Sequence, residues 1–111
     1  MRVLIILFAV TAVTACSKGP QIVEPTCVAD QVIYFSENEA CDAGAWVREY
    51  EFQNEVVYVF EYGNCFADQT QAVVNYDCDT IGYLGGFAGN TEINGKDFYD
   101  KAELVRSLFE N

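Results

Sequence analysis

The chain has 111 residues, a formal net charge of −11 and no histidine. That length supports one small domain, and the charge argues against a nucleic-acid partner, because no basic patch exists to neutralise phosphates. Without histidine the chain lacks the commonest general base and the usual zinc-hydrolase patterns, and it contains no G-x-S-x-G elbow.

The first fifteen residues stand apart from the rest. Met1 and Arg2 make a short positive start, and "VLIILFAVTAV" (Val3 to Val13) is an apolar run shorter than the roughly 20 residues needed to span a bilayer. Residues 1–15 are therefore expected to be a secretory signal peptide. The next four-residue signature, "VTAC" (Val13 to Cys16), resembles a bacterial lipobox. Small residues admit the cut site to a peptidase, and the Cys16 thiol then takes a diacylglycerol, each buried methylene adding about 0.8 kcal/mol of membrane affinity. The alternative is an ordinary signal peptide cut after Ala15, with Cys16 an idle thiol. Ser17 in the second mature position resembles lipoproteins sorted to the outer membrane, and "SKGPQIV" lacks the acidic cluster of surface-exported ones. The expected address is the periplasmic face of the outer membrane, reached through the N-terminal lipid.

Residues 16–25 carry two prolines and a glycine without periodicity, which marks a tether. A single disulfide-stabilised domain is expected over 26–111. Thr26 is placed to cap a short helix, with Val28, Val32 and Phe35 on one apolar stripe, although "QVIYF" (Gln31 to Phe35) also suits a strand. "AWVREYEFQ" (Ala45 to Gln53) and "EVVYVFEY" (Glu55 to Tyr62) are rich in aromatic and β-branched residues and meet at Asn54, a hairpin signal. A three-residue turn, Gln53 to Glu55, sets Trp46, Arg48, Tyr50 and Phe52 opposite Tyr62, Phe60, Tyr58 and Val56, with Glu49, Glu51 and Glu61 on the other face among Val47, Val57 and Val59. A two-residue turn mixes these sets. "TQAVVNY" (Thr70 to Tyr76) is a third antiparallel strand. In "KDFYDKAELVRSLFEN" the spacing of Phe98, Ala102, Val105 and Phe109 predicts a C-terminal helix, Asp97 and Asp100 suiting its dipole. The expected fold is α+β: a three-stranded meander with the C-terminal helix packed on one face and a short N-terminal helix.

Apart from Cys16, the cysteines are Cys27, Cys41, Cys65 and Cys78. An even number in an exported chain predicts two disulfides. In the meander, Cys41 and Cys65 sit at one end of the sheet and Cys78 at the other, near the start of a helix from Cys27. That order favours Cys41 with Cys65 and Cys27 with Cys78.

"GYLGGFAG" (Gly82 to Gly89) invites a phosphate-loop reading, but Asn90 and Thr91 follow the last glycine where a lysine would have to stand, and the G-x-G-x-x-G spacing is absent. Apart from Arg2, the basic residues Lys18, Arg48, Lys96, Lys101 and Arg106 do not cluster. Tight turns and close backbone approach account better for these glycines. Asn75, Asp77 and Asp79 alternate as at the start of an EF-hand, yet its sixth and twelfth positions are Thr80 and Gly86 rather than glycine and glutamate.

"YEFQNEVVYVFEYGNCFADQ", "CDTIGYLGGFAGNTEINGKDF" and the closing segment together resemble an uncharacterised family of small Bacteroidetes lipoproteins. The ensemble of Tyr50, Phe52, Cys65, Ala67, Asp68, Cys78, Leu84, Gly85, Gly86, Gly89, Asn90, Gly95 and Phe98 carries the resemblance. It implies one domain of bacterial address, and neither activity nor cofactor. The expected function is a lipid-anchored envelope protein with a protein-binding or inhibitor-like module, its interaction patch drawn from Tyr58, Phe60, Tyr62, Phe66 and Tyr83. The alternatives are a calcium-binding envelope protein using Asp68, Asp77 and Asp79, and a small carbohydrate-active enzyme working through a carboxylate pair.

Overall fold

The computed structural model describes residues 25–111. The expected signal peptide, the lipidation site Cys16 and residues 16–24 of the tether lie outside the described residues. Helix α1 runs over Thr26–Tyr34. Pro25, with its fixed φ, stands at the cap position, and its carbonyl accepts the amides of Val28 at 2.9 Å and Ala29 at 3.1 Å. Thr26 is thus the first helical residue and not the cap, and Gln31 to Phe35 is not a strand. The helix runs on into a π turn, Phe35–Glu39, that ends where the Ala40 amide donates to the Phe35 carbonyl at 2.8 Å. Val28 and Phe35 are buried and Val32 half-buried, so the apolar stripe does face the interior.

The rest of the described chain is mostly sheet. Strands β1 (Trp46–Phe52), β2 (Glu55–Glu61), β3 (Thr70–Asn75), β4 (Thr80–Gly85) and β7 (Glu103–Glu110) form one antiparallel sheet in the order β4-β3-β2-β1-β7. A two-stranded hairpin, β5 (Glu92–Ile93) and β6 (Lys96–Asp97), and a single helical turn, α2 (Phe98–Lys101), carry the chain across one face before β7 pairs with β1. This overturns the expected α+β layering. The main sheet has five strands, not three, and a second sheet has two; the glycine-rich segment is partly strand β4; and the predicted C-terminal helix is the edge strand β7.

The reason lies in two competing patterns. Asp97 caps α2, its side chain accepting the Asp100 amide at 3.0 Å, so a helix does start there. It stops at Ala102, whose ψ of 140° is extended. Beyond that point β1 offers an unpaired edge, and residues 103–110 use its backbone groups, a gain the helical periodicity cannot reveal. The supposed single stripe is divided: Phe98 and Ala102 pack on one side of the sheet, whereas Phe109 packs on the other and Val105 is exposed.

The β1–β2 hairpin has a two-residue turn. Gln53 and Asn54 both have positive φ, 54° and 62°, and Phe52 pairs with Glu55. This primed geometry follows the right-handed twist of the strands. The three-residue register is accordingly overturned. Val47, Glu49 and Glu51 lie opposite Phe60, Tyr58 and Val56, and Trp46, Arg48 and Tyr50 lie opposite Glu61, Val59 and Val57. Both faces are apolar, and Val57, Tyr58, Val59 and Phe60 are buried in succession. One core, with Val28, Phe35, Val47, Tyr58, Phe60 and Val74, lies beneath α1. The other, with Phe52, Val57, Val59, Val73, Leu84, Ile93 and Phe98, lies beneath the β5–β6 hairpin and α2. At Gly82 an added Cβ would stand 2.7 Å from Ile93 Cδ1, so the absent side chain lets the hairpin approach the sheet.

Two links fix the ends. Arg106 on β7 donates from Nη2 to Glu49 Oε1 at 2.8 Å, pairing the buried carboxylate of β1 with a cation. Asn111 accepts the Ala45 amide at 2.9 Å through Oδ1 and donates from Nδ2 to the Cys41 carbonyl at 2.7 Å. Disulfides join Cys27 to Cys78 across 51 residues and Cys41 to Cys65 across 24, the same pairs that the strand order favours. The first ties the start of α1 to the β3–β4 turn, while the second closes the β1 and β2 ends. Replacing Cys27 and Cys78 by Ala is expected to cost about 4 kcal/mol of stability in urea unfolding. Hydrogen exchange of the same variant should show α1 amides losing protection while β1, β2 and β3 retain theirs.

Candidate functional site

Helix α1 covers only part of its face of the sheet, and beside it a groove of about 470 Å³ opens over β2, β3 and β4. The wall is helical: Asp30, Gln31 and Tyr34 come from α1, and Phe35 and Glu39 from the π turn. The floor is Phe60, Ala72 and Val74, with Tyr62 at the end of β2 and Thr80 on β4 at the sides. Antiparallel pairing explains the convergence. Tyr58 lies opposite Val74, Phe60 opposite Ala72, and Ala72 opposite Tyr83, so alternation brings these residues out on the α1 side.

The groove is held rigid by its aromatic end. Phe35 meets Phe60 edge-on at 5.3 Å between centroids, Tyr62 at 5.4 Å and Phe109 at 6.2 Å. Gln31 Nε2 donates to the Cys78 carbonyl at 3.5 Å, beside the disulfide that anchors the helix. Burial pushes the Tyr62 hydroxyl above its ordinary pKa of 10.0, and the neighbouring Glu39 carboxylate, through its charge and a hydrogen bond, adds to the rise.

Charge is distributed unevenly about the molecule. Asp30 and Glu39 line the groove, and among the described residues no cation does. Arg106 is paired with Glu49, and Arg48 lies 4.0 Å from the centroid of the Trp46 ring and 3.9 Å from Glu110. Lys96 and Lys101 border a separate depression of about 390 Å³ with Glu51, Gln53, Asn54 and Glu103.

The aromatic residues expected to form one interaction patch are separated by this architecture. Tyr58 and Phe60 are core residues, 1 % and 6 % exposed, and Phe60 reaches the surface only as groove floor. Tyr62 is half-buried in the wall. Tyr83 is exposed on the same face, and Phe66 is exposed in the loop between β2 and β3 without lining the groove. Sequence reasoning missed Tyr34, Asp30, Gln31 and Glu39. Their signal was the polar flank of the helix that carries Val28 and Val32, which places them beside the buried stripe.

The carboxylates proposed for calcium do not converge. The Asn75 side-chain oxygen accepts the amides of Asp77 at 2.9 Å and Asp79 at 3.0 Å, and so closes the β3–β4 turn. Among the described residues no group of three or more acidic, cysteine or histidine side chains is placed to hold a metal ion. Nor is any helix among them long and apolar enough to cross a membrane.

These features define a disulfide-bonded β domain whose sheet carries covering elements on both faces, with a groove beside helix α1. The chain belongs to the family described as a domain of unknown function, DUF6970, whose model matches residues 35–111. No curated protein and no solved structure matches it. The match begins at Phe35, so Asp30, Gln31 and Tyr34 on the groove wall stand ahead of the matched span, whereas Glu39 and the floor lie within it.

The raised Tyr62 pKa has a definite linkage. The neutral phenol is favoured in the fold, so its contribution to stability is complete below pH 10 and is lost as pH rises through the higher folded value. Ultraviolet titration should show tyrosine ionisation above the ordinary range, to which Tyr99, also raised by burial, contributes, and Glu39→Gln should bring down the Tyr62 component alone.

Proposed function

We propose that this chain is a lipid-anchored envelope protein whose domain is a protein-binding module acting through the groove beside α1. The groove carries the reading: an apolar floor, partly exposed tyrosines and a few polar side chains are the usual make-up of a recognition site. An oxidising, exported location is supported by the two disulfides. Attachment through Cys16 to the periplasmic face of the outer membrane is supported by "VTAC" and Ser17, and by the likeness to small Bacteroidetes lipoproteins.

Cys16→Ser is expected to move the protein from the membrane fraction to the soluble fraction of the envelope. An unlipidated N-terminus in the native product, read by mass spectrometry, would remove the anchoring part of the proposal. For the binding part, a benzophenone cross-linker introduced at Tyr34, in the groove, should give an adduct with a defined envelope protein. The same group at Tyr99, exposed on α2, should give none, and equal labelling from both positions counts against the groove.

A further inference from the structure

We infer that the groove takes a lysine- or arginine-bearing peptide segment of a partner protein. The inference rests on the binding-module reading and adds the chemistry of the ligand. An apolar floor of Phe60, Ala72 and Val74 suits the aliphatic stem of such a side chain, which buries its methylenes while its head stays polar. At the wall the head meets the carboxylates of Asp30 and Glu39 and the ring faces of Tyr34 and Tyr62, and both attract a cation. Tyr34 is 59 % exposed and Tyr83, on the same face, 54 %. Both rings are therefore accessible to an incoming chain, Tyr34 at the groove wall and Tyr83 outside its lining.

Charge complementarity selects the occupant. Among the described residues no basic side chain lines the groove. Arg48 and Arg106 are already paired with acids, and Lys96 and Lys101 border the other depression. The chain as a whole carries −11. An acidic ligand would meet two carboxylates with no cation among the described lining residues to offset them, whereas a basic one supplies the missing charge. A second copy of this chain would bring further negative charge to the same place.

The test uses the full chain in detergent micelles and three capped peptides, Ala-Leu-Lys-Leu-Ala and its forms with glutamine or glutamate in place of lysine. Amide NMR shifts of Tyr34, Glu39 and Ala72 should respond to the lysine peptide and not to the glutamate peptide. The paired change D30N/E39Q should weaken lysine-peptide binding by about tenfold, as loss of close charge partners does at interfaces. Binding should also fall several-fold between about 50 and about 500 mM salt. The control E51Q/E103Q removes the same charge from the other depression and should leave affinity within about twofold, since those sites lie outside the groove.

An equal loss in the control would overturn the inference in favour of non-specific attraction. If the glutamine peptide moves the same amides with equal affinity, the cationic ligand is wrong and the binding groove stands. If no peptide moves any groove amide, both readings fall. Concentration-dependent shifts at those amides without peptide would replace the basic segment by a second copy.

Discussion

A β-sheet with apolar side chains on both faces has no stable arrangement in water until both are covered, and that requirement organises this molecule. Strand β2 shows it most plainly, with four successive residues, Val57 to Phe60, withdrawn from solvent. The covers come from opposite ends of the described chain. Helix α1 and its π turn shield one face, while the β5–β6 hairpin and the single turn α2 shield the other. Each large side chain so buried contributes roughly 1.5–3 kcal/mol, and the two disulfides add to a core that is small for a domain of this size. Strand β7 then occupies the edge that β1 would otherwise leave open, with Glu49 and Arg106 neutralising each other across the junction.

The groove follows from the geometry of these covers. One helix of nine residues cannot roof a five-stranded sheet, and it is held over β2 and β3 by Val28 and Phe35 and by its tie to Cys78. The uncovered strip between its acidic flank and β4 keeps an apolar floor, because the side chains there also form part of the core. The proposed recognition surface and the core therefore draw on the same residues. Phe60 is at once floor and core, and Phe35 orients Tyr62 while packing against Phe109.

Local sequence carried the elements whose signals are short in range. The strands around Asn54 and the third strand were legible from their β-branched and aromatic runs, and α1 from its stripe. The hairpin register was open, since one residue in the turn exchanges every face, and only the positive φ of both Gln53 and Asn54 decides it. "NG" at Asn94 and Gly95, with φ of 52° and 75°, is a hairpin signal legible in the sequence. The terminal strand was not readable in the same way. "ELVRSLFE" satisfies a helical period, and its strand state depends on the open edge of β1, on Glu49 and on the Asn111 side chain, all distant in sequence or at its last position. The aromatic patch failed for a related reason: Tyr58 and Phe60 look like surface candidates until both faces of β2 are known to be interior.

The bond between Cys27 and Cys78 joins the groove wall to the turn next to its far side. A newly made chain with both thiols reduced can still assemble the central strands, but nothing covalent keeps α1 in place opposite them. For the proposed binding role, oxidation then matters beyond durability: before the sulfurs join, only the packing of Val28 and Phe35 sets the tyrosines and carboxylates of the wall against the strands, and afterwards a covalent bond does so as well.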